Sequence, residues 1–335
     1  MARHAPATAS FTALARQNKR GGVKFANSEW QAALDRMSGA YSANTIRSYR
    51  ADFAIFTGWC KREGRAPLPA SPETVADFVT AQSESAAPAT VNRRRASIAK
   101  IHHLLRLENP VRTEEVNLAT RTMFRKKGRR QDQALGLTST LKHKIIAACP
   151  ETHSGLRDRA LIAVGYDTLC RRAELVQLLV DDLTVKADGS GTILVRKAKS
   201  DQFGDGRLAY LSAEAVDHLQ RWLRAADLTA GPIFRAILPG GAIAAIPIED
   251  YAVSSILKTR AKRAGLGEAT VARLSGHSLR VGAAQDMAAA GIDLGAIMHA
   301  GGWKSPDMVM RYIEHMDVER SGMARLYAHP IHNIN

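Results

Sequence analysis

Apolar positions along the first third of the chain recur with the period of a helix. Between residues 42 and 64, Ile46, Tyr49, Phe53, Phe56 and Cys60 fall at three- and four-residue steps and form one apolar stripe. Ser71-Pro72-Glu73 is a helix start, with a capping serine followed by a proline at the first helical position. The stripe returns over 90–107 through Val91, Ile98, Ile101 and Leu105, and Asn109-Pro110 ends it. A further helix is predicted over 114–125. Past Leu137 the pattern changes. Helices are predicted at 139–148 and 155–168, and then 183–186, the Asp188-Gly189 turn and 192–198 read as a hairpin. A third short strand, 207–211, follows Gly204-Asp205-Gly206. Helices resume over 213–226, 249–264 and 277–290 and continue in short pieces to the C-terminus. The predicted fold is mainly α with a small β-sheet: an all-helical N-terminal module followed by an α+β module.

Charge adds boundaries to this picture. The first twenty residues carry Arg3, Arg16, Lys19 and Arg20 and no acid, so 1–27 is expected to be a flexible basic arm. The helical domain is expected over 28–128. The acid-free run from Arg125 to Arg130, with the polar residues after it, marks a hinge, placed at 129–136, and the second domain takes 137–335. Over the 335 residues, 47 Lys and Arg outnumber 32 Asp and Glu, for a formal charge of +15. Such an excess favours a polyanionic partner, because each phosphate neutralised releases counterions. Arg93, Arg94 and Arg95 are predicted on the exposed face of the 90–107 helix. With Arg125, Lys126, Lys127, Arg129 and Arg130 they are the candidate phosphate contacts. Cys60, Cys149 and Cys170 lack metal-ligand spacing and read as buried or incidental thiols of a reducing compartment. The apolar stretch 236–248 is broken by glycines and prolines, so no membrane span is expected.

The chemistry lies in the second module. Ser275-Gly276-His277-Ser278-Leu279-Arg280 sets a histidine and an arginine one helical turn apart. Gly301-Gly302-Trp303 supplies an indole donor, and Met310-Arg311-Tyr312 a tyrosine on the next helical segment. Upstream, Arg171-Arg172-Ala173-Glu174 offers a second guanidinium and a carboxylate; a helix beginning near Leu169 would place Arg171 and Glu174 on one face. Two arginines, a histidine, an indole N–H and a tyrosine suffice to cleave a phosphodiester of DNA without a metal. The tyrosine oxygen attacks phosphorus, and guanidinium forks neutralise charge growing on the non-bridging oxygens. A tyrosine hydroxyl ordinarily titrates near ~10, so this one needs cationic neighbours to attack at neutral pH.

These segments, with Arg280-Val281-Gly282-Ala283-Ala284 and Ala300-Gly301-Gly302-Trp303, resemble the tyrosine recombinase (phage integrase) family, and within it the Cre-like group. The resemblance covers nearly the whole second module; the N-terminal module is similar in layout only. The family pattern Arg-x-x-Glu selects Arg171 over Arg172 and makes Glu174 a carboxylate that orients the site. It makes His277 a proton carrier or phosphate donor. Trp303 stands where many members have histidine, and the spacing after it selects Tyr312 over Tyr166, Tyr210, Tyr251 and Tyr327. The family position of the general acid falls on Lys199; strand alternation places Lys197 on the same face and does not separate the two.

The implied activity is site-specific recombination through a 3′-phosphotyrosine, with neither ATP nor metal. The implied partners are double-stranded DNA bearing inverted half-sites around a spacer and a homo-tetramer on two such sites, held in part by the segment 318–326. No membrane is involved, and the implied location is the cytoplasm, at the nucleoid. Two other readings fit the same residues: a type IB topoisomerase and a non-catalytic DNA-binding module.

Overall fold

The computed structural model describes residues 27–129, 133–196 and 206–314. The basic arm before residue 27, Arg130, Lys197, Lys199 and the segment 318–326 lie outside the described residues. The chain divides after residue 132 into two compact units.

The first unit is built of helices α1 (Asn27–Asp35), α2 (Ala43–Arg62), α3 (Pro72–Ser85), α4 (Pro88–Leu104) and α5 (Glu114–Lys127). Ser42 and Ser71 accept the N–H of Thr45 and of Thr74, so each satisfies an orphan donor at its helix start, and Pro72 follows at the first position of α3. The stripe on α2 is buried at Phe53, Phe56, Trp59 and Cys60. Its rings pack in a chain, Trp30 on Phe53 at 5.1 Å, Phe53 on Phe56 at 5.6 Å and Phe56 on Phe78 of α3 at 5.0 Å. Ile98 and Ile101 of α4 close this core. His102 is buried beside them; its Nε2 accepts the N–H of Ala70 at 3.0 Å, which leaves Nδ1 to donate to the carbonyl of Ile98.

The expectation that Arg93, Arg94 and Arg95 share an exposed face is corrected. Successive residues on a helix turn by about 100°, and three in a row cannot face one way. Arg93 is exposed and reaches the buried carboxylate of Asp52 at 2.9 Å. Arg94 is half-buried against Gln82, and Arg95 is half-buried, donating to Thr120 at 3.0 Å. The helix predicted over 114–125 runs two residues further: Arg125, Lys126 and Lys127 form the exposed last turn of α5, which ends at Gly128 (φ 77°).

The second unit opens with α6 (Ser139–Ala147) and α7 (His153–Thr168), the latter buried on almost every side through Ala160, Leu161, Ile162, Ala163 and Val164. The short helix α8 (Arg172–Leu175) leads to β1 (Leu183–Val185), β2 (Gly191–Val195) and β3 (Arg207–Leu211), an antiparallel sheet in that order. Helix α9 (Ala213–Ala225) packs on α7, and its buried Trp222 donates to the carbonyl of Ile233 at 2.8 Å. A second hairpin, β4 (Arg235–Ile237) with β5 (Ile243–Pro247), occupies the stretch whose glycines and prolines hid it in the sequence. Gly240 and Gly241, at φ 91° and 89°, turn it. Then follow α10 (Ala252–Arg263), α11 (Glu268–Arg273), α12 (Ser278–Ala289), α13 (Leu294–Gly301) and α14 (Pro306–Ile313). The fold is mainly helical with small antiparallel sheets. No helix among the described residues is long and apolar enough to cross a membrane.

Candidate active site

Helix α7 ends at Thr168, and Leu169 takes the left-handed conformation (φ 51°) that breaks the chain. Arg171 is therefore not inside a helix starting near Leu169, as its spacing suggested; it is the N-cap of α8. The pairing with Glu174 survives by another route. The buried Glu174 carboxylate accepts the main-chain N–H of Arg171 at 3.0 Å and its Nη1 at 2.7 Å, so one carboxylate caps the helix and aims the guanidinium. Arg172 turns outward to Asp250 at 3.0 Å, which separates it from Arg171 by place.

Arg280 stands in the first turn of α12 and is 1% exposed. Its Nη1 donates to the carbonyl of Leu169, and its Cζ lies 3.9 Å from the centre of the Trp303 ring. Its Nη2 is buried without a hydrogen-bond partner among the described residues. Burial, and then the neighbouring guanidinium of Arg171, pull its pKa down to about 10. His277 is the N-cap of α12 and is exposed, whereas Arg280 is buried. The His277 carbonyl accepts the N–H of Val281 at 3.0 Å, and His277 stands one turn before Arg280. Desolvation, then Arg280, Arg171 and Arg172, hold the His277 pKa below the ordinary histidine value. Cations thus converge here.

Trp303 and Tyr312 enter from α13 and α14. Gly302 closes α13 in the left-handed conformation (φ 63°), and a Cβ on Gly301 would fall 2.0 Å from the indole, so the paired glycines let the ring fold back. Ser305 caps α14, and Pro306 opens it. Tyr312, 5% exposed, sets its ring 5.8 Å from Trp303 at 61°. Both rings belong to a small core with Leu169, Val281, Ala284, Ile297 and Val309. The other tyrosines are elsewhere: Tyr166 donates to Asp286, Tyr210 and Tyr251 are exposed, and Tyr327 lies outside the described residues.

Arg207 was not singled out from the sequence, where it reads only as the first residue of a strand. Its guanidinium donates to the carbonyls of Thr168 at 2.6 Å and Ala300 at 3.1 Å, and so ties the turn before Arg171 to the turn before Trp303. A lone arginine after a glycine turn was the one signal available. Among the described residues no His, Cys, Asp and Glu cluster could hold a metal ion. The three cysteines are free and buried, with burial pushing the thiols of Cys60 and Cys149 up to about 12 and about 11.

The sequence matches the Phage integrase family over residues 137–319, and over residues 29–109 the N-terminal SAM-like domain of phage integrases. It is 34% identical over 306 residues to an integrase/recombinase XerD homolog of Selenomonas ruminantium, covering 88% of this chain and 89% of that one. It is 28% identical over 310 residues to recombinase Cre of Escherichia phage P1, covering 86% and 88%. Among solved structures, the Tn1549 transposon integrase in complex with circular intermediate DNA superposes with a TM-score of 0.65 at 18% identity, covering 89% of this chain and 98% of that one.

Proposed function

The chain belongs to the phage integrase family, as a tyrosine site-specific recombinase acting on DNA, and from that premise we propose how its own residues cut and rejoin a strand. Tyr312 is the nucleophile. Its oxygen attacks the scissile phosphorus, a 3′-phosphotyrosine forms, and the 5′ oxygen leaves with a proton from Lys199. Arg171 and Arg280 meet the charge that grows on the non-bridging oxygens, each with a planar fork that a lysine lacks. Glu174 orients Arg171, Trp303 backs Arg280, and His277 donates to the phosphate or carries a proton. The freed 5′-hydroxyl then attacks the phosphotyrosine of a partner strand. Bond energy is conserved in the covalent link, so the cycle needs neither nucleotide nor metal.

The observation that carries this reading is Arg280 Nη2, a buried guanidinium donor with no hydrogen-bond partner among the described residues, beside a second arginine and against the ring of Trp303, which in turn packs on Tyr312. A buried cation crowded by like charge is relieved by an anion, and a phosphodiester oxygen supplies both the charge and the acceptor. The exposed Arg125, Lys126, Lys127 and Arg129 are the phosphate contacts of the helical unit. The working assembly is a homo-tetramer on two duplexes, each with inverted half-sites around a spacer, at the cytoplasmic nucleoid.

The test is a covalent adduct. A nicked duplex is selected from a randomised library by adduct formation with the full chain, and the modified peptide is mapped. Tyr312→Phe should bind this duplex as the parent does and form no adduct; an adduct at the parent's level in the variant would sink the assignment.

A further inference from the structure

Tyr312 is the next-to-last residue of α14, so its main-chain carbonyl is one of those a helix end leaves without an internal partner. Two side-chain amides supply that partner. Gln285 Nε2 donates to the Tyr312 carbonyl at 3.0 Å, and Gln133 Nε2 lies 3.4 Å from the same oxygen. Gln285 stands on α12, the helix that carries Arg280.

The amide of Gln285 is itself boxed in. A Cβ on Gly136 would come within 1.9 Å of its Oε1 and 3.2 Å of Gly282 Cα, so the chain at Gly136 lies directly on this side chain. That approach is fixed by backbone. A Cβ on Gly282 would strike the Leu137 carbonyl at 2.0 Å, and Leu137 N–H donates to the carbonyl of Ser278 at 2.8 Å.

We propose that Gln285 is a positioning residue that locks the nucleophile-bearing turn of α14 in register with Arg280, with Gly136 seating its amide and Gln133 a second donor to the same carbonyl. The apolar contacts of α14 alone do not fix this register. Val309 and Tyr312 pack into a core of small and aliphatic residues, and such packing is non-directional and permits a short helix to slide or roll. A hydrogen bond to the carbonyl of the nucleophile's own residue removes that freedom. Because Gln285 and Arg280 ride on one rigid helix, the distance between attacking oxygen and guanidinium is set by a single element. The inference rests on Tyr312 being the nucleophile.

The experiment uses the full chain and the adduct-selected duplex. Gln285→Met keeps the length and removes the donor, Gln285→Lys restores a donor of similar reach, and Gly136→Ala pushes the amide aside from the other strand of chain. Single-turnover cleavage at saturating protein, DNA affinity, Tm and hydrogen exchange of the 306–313 amides are measured together. Gln285→Met and Gly136→Ala should each slow cleavage by ~10-fold or more, because small misplacement of a reacting group is costly. Affinity and Tm should hold, amide exchange should quicken in 306–313 alone, and Gln285→Lys should recover most of the rate. The proposal is overturned if Gln285→Met cleaves like the parent, if Gln285→Lys is as slow as Gln285→Met, or if the rate falls only in step with Tm. Mapping the parent's adduct to a residue other than Tyr312 defeats the preceding assignment instead, and the two failures are told apart by that map.

Discussion

The arginines on α4 of the helical unit and Arg280 of the second unit are held in different ways. In the helical unit, Arg93 reaches Asp52, Arg94 reaches Gln82 and Arg95 reaches Thr120. Each guanidinium bonds across to a neighbouring helix, although Arg94 Nε, like Arg280 Nη2, is buried without a hydrogen-bond partner among the described residues. In the second unit Arg280 is more deeply buried than any of these; its Nη1 reaches a main-chain carbonyl, its Nη2 has no hydrogen-bond partner among the described residues, and the guanidinium of Arg171 helps to lower its pKa. The histidines show the same contrast. His102 has both ring nitrogens engaged inside the helical core, whereas His277 is exposed, with guanidiniums among the groups that lower its pKa. Density of charge in the sequence therefore does not tell which charges are available. The arginines massed on α4 pair with neighbouring helices, while under the proposed function Arg280 awaits a phosphate oxygen.

The largest effect should come from the arginines of the proposed site. Arg171→Ala and Arg280→Ala should each slow single-turnover cleavage by roughly 10²-fold or more while DNA affinity changes little, since their work is in the transition state. Measuring both on the selected duplex would break the comparison if affinity collapsed and cleavage at saturating protein stayed intact. Next in size is one of the α4 pairings. Asp52 is 1% exposed and accepts from Arg93 and from Ser97 Oγ at 3.0 Å. Asp52→Ala should destabilise the helical unit by about 2 kcal/mol, the usual scale for hydrogen bonds to a charged group. Denaturant unfolding would read this, and a neutral result would free Arg93 for another role.

His102 sharpens the contrast through pH. Burial holds its pKa below the ordinary histidine value, so below ~6.5 the unfolded chain binds a proton that the folded chain refuses. Its contribution to stability is complete above that pH and is lost as pH falls toward the depressed folded value. The Tm of the helical unit should drop on acidification through this window. His102→Gln, which can keep both hydrogen bonds, should flatten that dependence; an unchanged slope would place the titration elsewhere. The smallest effect belongs to surface charge. Arg125→Ala and Lys126→Ala should each flatten the salt dependence of DNA affinity by about one unit and leave cleavage at saturation alone. Arg95→Ala, already turned to Thr120, should leave that slope unchanged.

The sequence by itself determined the architecture where a periodic pattern meets a clear stop. The α2 stripe, the Ser71-Pro72 start of α3 and the hairpin around Gly189 all follow from local rules of burial, capping and turn geometry. With the family resemblance it also nominated Arg171, Glu174, His277, Arg280, Trp303 and Tyr312 as site candidates. Tertiary structure decided what a one-dimensional pattern does not hold. The left-handed Leu169 made Arg171 a cap residue, the rotation of α4 turned Arg94 and Arg95 inward, and Arg207 joined two turns distant in sequence. The β4–β5 hairpin was masked by the very glycines that turn it. Periodicity reports which residues are buried, but the partner of a buried charge is fixed only when separate elements meet. Hence the Arg280 donor left without a partner among the described residues and the carboxamide on the Tyr312 carbonyl were visible only in three dimensions.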